Sequence, residues 1–324
     1  MTNSSIRKIA LLTSGGDGPG MNAAIRSVVR CSLHYGFEVS GVMRGYQGLI
    51  DDDIFEMNHR SVSNIINRGG TILKTARSKE FATDEGKKKA VEVLRKHKID
   101  GLVVIGGDGS YLGASRLYHM FGFPTVGLPG TIDNDLNGTD QTIGCSTAIN
   151  TALESIDKIR DTAQSMERIF VVEVMGNKSG YIAMEVALAA GAEDVIVPER
   201  PFDYEAMYKE ISEGNRKGKV TWILVVAEGA AKAQNVAETI TKATGLETRC
   251  AILGHVQRGG TPSGQDRILA TRLGAAAVDL LLNGIYGKAV GVLQNEINVI
   301  DLSDATKRQF THMEDHYKLL KILT

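Results

Sequence analysis

The sequence predicts an α/β protein of two domains, and three observations carry that expectation. Short apolar runs alternate with helix-length amphipathic stretches along most of the chain, the pattern of parallel strands whose connecting helices cover a sheet on both faces. At 324 residues the chain exceeds what one simple core accommodates. It also carries 36 glycines, many of them where an apolar run ends, as phosphate-binding α/β enzymes require.

Residues 9–13 have the pattern of a short buried strand, followed by Ser14-Gly15-Gly16-Asp17-Gly18-Pro19-Gly20. The spacing of Ile25, Val28, Val29 and Leu33 at i, i+3, i+4 and i+8 predicts a helix from near Met21. Residues 37–43 return to strand character and complete a β-α-β unit with parallel strands. Residues 87–98 read as a helix with Ala90, Val91 and Leu94 inward, leading into a strand at 101–105 that is apolar on both faces. Gly106-Gly107-Asp108-Gly109-Ser110 follows, then another helix and a strand at 125–128. That strand runs into Pro129-Gly130-Thr131-Ile132-Asp133-Asn134-Asp135, read as a polar loop. Beyond it, helices at 147–159, 181–190, 204–217 and 236–244 alternate with strands at 169–174, 195–197, 222–227 and 248–253. A long helix at 266–282, a strand near 290–293 and an amphipathic segment at 313–323 close the chain.

Bulk properties exclude several classes. Lys plus Arg is 37 and Asp plus Glu 38, a net charge of −1, so no broad nucleic-acid surface is expected and any anion site must be local. No apolar run reaches the roughly 18 to 20 residues of a membrane helix, and residues 9–12 are too short for a signal peptide, so a cytoplasmic protein is expected. Cys31, Cys145 and Cys250 are far apart and not at metal-ligand spacing, which predicts reduced thiols and no structural zinc.

Two aspartates flanking an asparagine beside Gly130-Thr131 offer a proton acceptor and small groups that let a phosphate approach the backbone. The plainer reading of Asp133-Asn134-Asp135 is a turn. Two glycine-rich turns, at 15–18 and 106–109, repeat Gly-Gly-Asp-Gly after an apolar strand, and such strand ends form the ligand crevice of open α/β sheets. Neither the dinucleotide fingerprint nor the common phosphate loop is present. Asp108 directly after a buried strand suits a Mg2+ held between carboxylate and nucleotide phosphates; helix N-capping is the alternative. Arg77, Arg168, Arg249, His255 and Arg258 each adjoin a backbone break or small residues from which a phosphate is within reach. Arg26 and Arg30 on the first helix, with Lys217 and Lys219 downstream, form a second basic set whose plain reading is solvated charge.

Five blocks, Thr13-Ser14-Gly15-Gly16-Asp17, Gly106-Gly107-Asp108-Gly109-Ser110, Pro129 to Asp135, Val174-Met175-Gly176 and Leu253-Gly254-His255-Val256-Gln257-Arg258-Gly259-Gly260, stand in the order found in bacterial ATP-dependent 6-phosphofructokinases. The resemblance is collinear over nearly the whole chain. It implies two Rossmann-like three-layer α/β/α domains with mainly parallel sheets: residues 1–143 plus 256–306 as a larger ATP-binding domain, and 144–255 plus 307–324 as a smaller sugar-phosphate-binding domain. It also implies transfer of the ATP γ-phosphoryl group to the 1-hydroxyl of fructose 6-phosphate, assisted by Mg2+, in glycolysis.

Carried over by position, Asp133 resembles the base, Thr131 a contact to the transferring group, Asp108 the Mg2+-associated carboxylate, and Asp135 and Arg77 supporting catalytic residues. Gly16, Arg77, Ser78, Asp108, Gly109 and Ser110 correspond to the ATP site. Thr131, Asp133, Met175, Gly176, Glu228, His255 and Arg258 correspond to the substrate site. Arg168 and Arg249 match arginines that reach the substrate of a neighbouring subunit, which implies a homotetramer. An effector site for ADP and phosphoenolpyruvate is implied at Arg26, Arg30, His59, Asn64, Arg160, Gly191, Glu193, Lys217 and Lys219. His59 and Asn64 stand where familiar members carry arginine and aspartate, and Asn177, followed by Lys178, where arginine is common. The pyrophosphate-using branch has a bulkier acidic residue after Gly-Gly-Asp and a lysine before Thr-Ile-Asp; Gly109 and Gly130 here favour ATP. A pyrophosphate-dependent enzyme and a catalytically silent sugar-phosphate-binding subunit are the alternatives.

Overall fold

The computed structural model describes residues 6–307 and 313–324. The chain divides into two compact units, Met1–Thr147 with Arg258–Gln309, and Ala148–Gln257 with Phe310–Thr324. Residues 308–312, next to the expected return into the smaller domain at 307, lie outside the described residues.

The first unit opens with β1 (Lys8–Ser14), α1 (Met21–His34), β2 (Glu38–Val42), α2 (Gly45–Ile50) and β3 (Ile54–Met57). It continues through α3 (Asp84–Lys96), β4 (Gly101–Gly106), α4 (Asp108–Phe121), β5 (Thr125–Thr131), the two-residue β6 (Ile143–Gly144) and the start of α5 (Cys145–Met166). The second unit contains β7 (Ile169–Val174), α6 (Tyr181–Ala190), β8 (Asp194–Ile196), α7 (Tyr204–Arg216), β9 (Trp222–Ala227), α8 (Ala233–Thr244) and β10 (Thr248–Ile252). After a 3-10 turn at Gly254–Arg258 the chain adds α9 (Gly264–Leu282), β11 (Lys288–Leu293), β12 (Glu296–Asp301) and α10 (Leu302–Ala305) to the first unit, and α11 (Met313–Leu323) to the second.

The first sheet has the order β12-β11-β5-β4-β1-β2-β3, with β6 beside β5. Its inner strands are parallel, and β3 and β12 are antiparallel edges. One face packs Ile25 and Val28 of α1 and Leu273 and Ala277 of α9 against Ile9, Leu11, Val103 and Ile105. The other packs Leu49, Leu94 and Leu117 against Ala10, Leu12, Leu102 and Val104. The strands are thus apolar on both faces because helices cover both. In the second unit β10-β7-β9-β8 is wholly parallel, with Val171, Leu224 and Val226 against Ile211, Val236 and Ile240. No described helix is long and apolar enough to cross a membrane.

Several boundaries differ from the sequence reading for physical reasons. β5 continues through Pro129 and Gly130 to Thr131, so these belong to the strand rather than the polar loop; pairing of Gly130 with Ile143 and of Thr131 with Gly144 in β6 extends it. α3 starts at Asp84, ahead of the expected residue 87, because the Thr83 hydroxyl accepts from the Gly86 N–H at 3.0 Å. β11 and β12 join through Gln294 and Asn295, both at positive φ (48° and 67°) with Leu293 opposite Glu296, the two-residue reversal that suits the twist of a hairpin.

Candidate active site

In the first unit the two glycine-rich turns lie side by side, because Ser14 at the end of β1 pairs with Gly106 at the end of β4. A Cβ built on Gly106 would fall 2.4 Å from the Ser110 hydroxyl oxygen and 2.5 Å from the Ser14 carbonyl, so the turn closes only around glycine. Gly107 is the N-cap of α4, which removes the capping reading for Asp108. Asp108 occupies the first helical position, exposed, with Oδ1 accepting from the Gly109 N–H at 2.6 Å. A carboxylate there is favoured by the helix dipole.

β5, next to β4, delivers the third segment. A Cβ on Gly107 would lie 3.5 Å from Thr131 Cβ and 3.7 Å from its hydroxyl oxygen, so the Asp108 turn and Thr131 are neighbours. The Thr131 hydroxyl accepts from the Asp133 N–H at 3.2 Å. Asn134 takes φ +48° and donates through its side-chain amide to the Asp140 carbonyl at 3.0 Å, turning the chain sharply after Asp133. The two aspartates differ in environment: Asp133 is half-buried, whereas Asp135 is 3% exposed.

The loop carrying Arg77 and Ser78 is tied to the first turn by the Thr75 hydroxyl, which donates to the Gly15 carbonyl at 2.6 Å. The Ser78 hydroxyl accepts from the Phe81 N–H at 3.0 Å. Phe81 stacks on Tyr46 with ring centroids 3.9 Å apart, and the Tyr46 hydroxyl donates to the Ser110 carbonyl at 2.6 Å. Burial pushes the Tyr46 phenol well up, so it stays a donor. Arg258 completes this group: its guanidinium lies against Gly16 and donates to the Asp17 carbonyl at 3.3 Å.

In the second unit Met175 and Gly176 follow β7, and Glu228 follows β9, its sheet neighbour. Glu228 Oε1 accepts from the N–H groups of Gly176 at 3.3 Å and Asn177 at 2.9 Å. Met175 N–H donates to the buried Gln257 side chain at 2.8 Å. Arg168 and Arg249 share Glu247, which is 3.2 Å from Arg168 Nε and also pairs with Arg249 Nη2. His255 is exposed in the 3-10 turn. Asn177 is exposed at φ +54°, and Lys178 lines a cavity of about 500 Å3 with Glu199 and Arg200.

The second basic set divides between the units. Arg26 and Arg30 lie on α1, with His59 and Asn64 exposed in a turn-rich segment after β3. In the second unit Arg160 donates to the carbonyls of Ala190 (2.6 Å) and Gly191 (3.1 Å), and Lys219 pairs with Glu193 at 3.2 Å while lying over the Trp222 ring. Lys217 is the C-cap of α7. Tyr46, Glu247 and Gln257 contact candidate site residues without being singled out by the sequence. Glu247, two residues before Arg249, is legible as an ion-pair partner; Gln257 lies inside the 253–260 block, which gives it no role of its own, and Tyr46 carries no local signal.

Comparison with known proteins adds the family. The model of the family described as Phosphofructokinase matches residues 8–281. The chain is 53% identical over 319 residues to the ATP-dependent 6-phosphofructokinase of Clostridium tetani, covering 98% of this chain and 100% of the relative. It is 51% identical to ATP-dependent 6-phosphofructokinase 1 of Clostridium perfringens, covering 97% and 98%. Among solved structures, phosphofructokinase from Saccharomyces cerevisiae superposes with a TM-score of 0.88 at 37% identity, over 98% of this chain and 48% of that longer one.

Proposed function

The chain belongs to the phosphofructokinase family, and we propose that it is an ATP-dependent 6-phosphofructokinase with Asp133 as its base. It moves the γ-phosphoryl group of ATP to the 1-hydroxyl of fructose 6-phosphate, giving fructose 1,6-bisphosphate and ADP. The observation that carries the residue assignment is the neighbouring of Asp108 and Thr131-Ile132-Asp133 at the carboxyl ends of adjacent parallel strands.

Phosphoryl transfer depends chiefly on positioning and on neutralising charge. Asp133 takes the proton of the attacking sugar hydroxyl. The Thr131 hydroxyl accepts from the Asp133 N–H and so holds that aspartate's backbone, and Thr131 contacts the transferring group. Arg77 supplies positive charge on the ATP phosphates, and Arg258 on the phosphate of fructose 6-phosphate. Gly16, Ser78, Gly109 and Ser110 form the ATP cradle, with Gly109 opening onto free space on its Cβ side. Met175, Gly176, Glu228 and His255 bind fructose 6-phosphate. The units are accordingly an ATP-binding domain and a sugar-phosphate-binding domain.

Asp108 is an exposed carboxylate, a hard oxygen donor, at a helix N-terminus, and among the described residues no three acidic, His or Cys groups gather. That donor set fits Mg2+, which keeps several waters and takes further ligands from substrate phosphates. When bound, the ion would supply charge neutralisation at the phosphates, with Asp108 holding it and Asp135 in a supporting role. Arg168 and Arg249 reach the substrate of a neighbouring subunit in a homotetramer. ADP and phosphoenolpyruvate bind at the second basic set, more weakly than with arginine at position 59, since histidine lacks arginine's permanent charge and its fork of five donors. The enzyme works in the cytoplasm.

Supplying fructose 6-phosphate with ATP and with pyrophosphate in turn tests the reading. Turnover with ATP is expected; turnover with pyrophosphate alone would move the chain to the other branch.

A further inference from the structure

Asp266, in the first turn of α9, is 1% exposed and belongs to none of the segments assigned above. Its Oδ1 accepts from the Gly144 N–H at 2.8 Å, and its Oδ2 accepts from the Thr147 N–H at 2.8 Å and from the Thr147 hydroxyl. The Thr147 oxygen in turn accepts from the Ser263 N–H at 2.9 Å, so one carboxylate joins the first turn of α9 to that of α5. A buried charge with this many donors is well satisfied, and its removal leaves several N–H groups without an acceptor.

What Asp266 holds bears on the chemistry. Gly144 pairs in register with Thr131, and at φ +108° a Cβ on it would meet Ile132 Cγ2 at 3.2 Å and the Pro19 carbonyl at 3.1 Å. Gly144 therefore packs between the segment carrying Thr131 and Asp133 and the first glycine-rich turn. A Cβ on Gly20, which closes that turn, would lie 3.4 Å from Asp266 Cβ itself. Asp266 thus backs both segments without reaching any group assigned to substrate.

We propose that Asp266 is a positioning residue for phosphoryl transfer, fixing Gly144 and Thr147 so that Thr131 and Asp133 stand at the right distance from the nucleotide turns. The inference rests on the kinase reading above. Displacements near 1 Å from a reacting geometry cost on the order of 100-fold in rate, and a shift of this kind acts on kcat rather than on affinity.

Asp266→Asn is the direct test, because an amide offers one acceptor oxygen where two backbone N–H groups approach opposite oxygens. Its kcat is expected to fall by roughly 10- to 100-fold, with KM for ATP and for fructose 6-phosphate each within about threefold of wild type and a native circular dichroism spectrum. Should that variant fail to fold, Thr147→Val and Thr147→Ser carry the test: the serine, which keeps the hydroxyl, should retain several-fold more kcat than the valine. A folded Asp266→Asn enzyme with kcat within twofold of wild type, equal kcat in the two Thr147 variants, or a loss confined to KM would each overturn the inference. A wild-type protein silent toward fructose 6-phosphate with ATP would overturn the kinase reading and the inference with it, whereas an active wild type with unaffected variants overturns the inference alone.

Discussion

The guanidinium of Arg258 occupies the space that any side chain at position 16 would need: a Cβ on Gly16 would come 1.8 Å from Nη1 and 2.7 Å from Cζ of Arg258. Residues 242 positions apart in sequence are thereby made to share one place, and only glycine lets the arginine rest on the turn.

Gly16→Ala follows directly. The obstructing atoms are the end of a flexible side chain, so the arginine moves and the fold survives, with stability changed by less than about 0.5 kcal/mol as for ordinary surface substitutions. A charge-assisted hydrogen bond contributes about 1.5 to 3 kcal/mol, so displacing Arg258 should lower kcat/KM by roughly 10- to 100-fold. Thermal melting together with steady-state kinetics checks both halves, and wild-type kinetics would separate Arg258 from phosphate handling.

Asp133→Asn preserves shape and removes the proton acceptor. The expected result is a kcat lower by about 100- to 10,000-fold, with KM for both substrates nearly unchanged. Turnover close to wild type would remove Asp133 as the base, and a parallel measurement on Asp135→Asn would then show whether the role belongs to its buried neighbour.

Tyr46→Phe deletes the donor to the Ser110 carbonyl and leaves the stack on Phe81. Loss of one buried hydrogen bond costs about 1 kcal/mol of stability. KM for ATP should rise severalfold while KM for fructose 6-phosphate holds, because the bond joins only the nucleotide segments. Equal changes in both constants would contradict that placement.

Lys321 on α11 lies 3.2 Å from Asp194 and 2.7 Å from Glu210. Burial lowers its pKa, but the hydrogen bond to Glu210 and the charge of Asp194 outweigh burial and raise it above the usual 10.5. The Asp194 carboxyl is itself pushed up, since burial exceeds the pull of Lys321. With the ammonium favoured in the folded state, the stability from Lys321 is complete below pH 10.5 and is lost as pH rises through the higher folded value. Proteolysis of the terminal segment should therefore accelerate above pH 10.5 and stay flat from pH 8 to 10; Lys321→Met should abolish that step.

The inner strands and their helices were legible because burial on both faces writes continuous apolar runs, as at residues 101–106 and 222–227. The edges were not. β12 is exposed or half-buried throughout, β3 nearly so, and α2 is six residues with two glycines, so none offers a period to read. Among the candidate site residues, those in glycine-rich blocks are legible as candidates, and the fold sets the Asp108 turn beside Thr131. Residues that act over long range are not: Asp266 bonds to groups 119 and 122 positions away, a pairing no local spacing announces. Glu247 and Gln257 are likewise defined by what folding brings to them.

The Gln294-Asn295 reversal has a consequence for how the first unit breathes. Because β12 is tethered to β11 by two residues, its six ladder positions can open and zip shut again with almost no loop entropy to recover. The outermost strand is thus a local exchange site that fluctuates on its own account, so amide protons at Asn298 and Ile300, which face β11 in this register, should trade with solvent long before those of β4, and that opening can proceed while the strands bearing Asp108 and Thr131 stay closed.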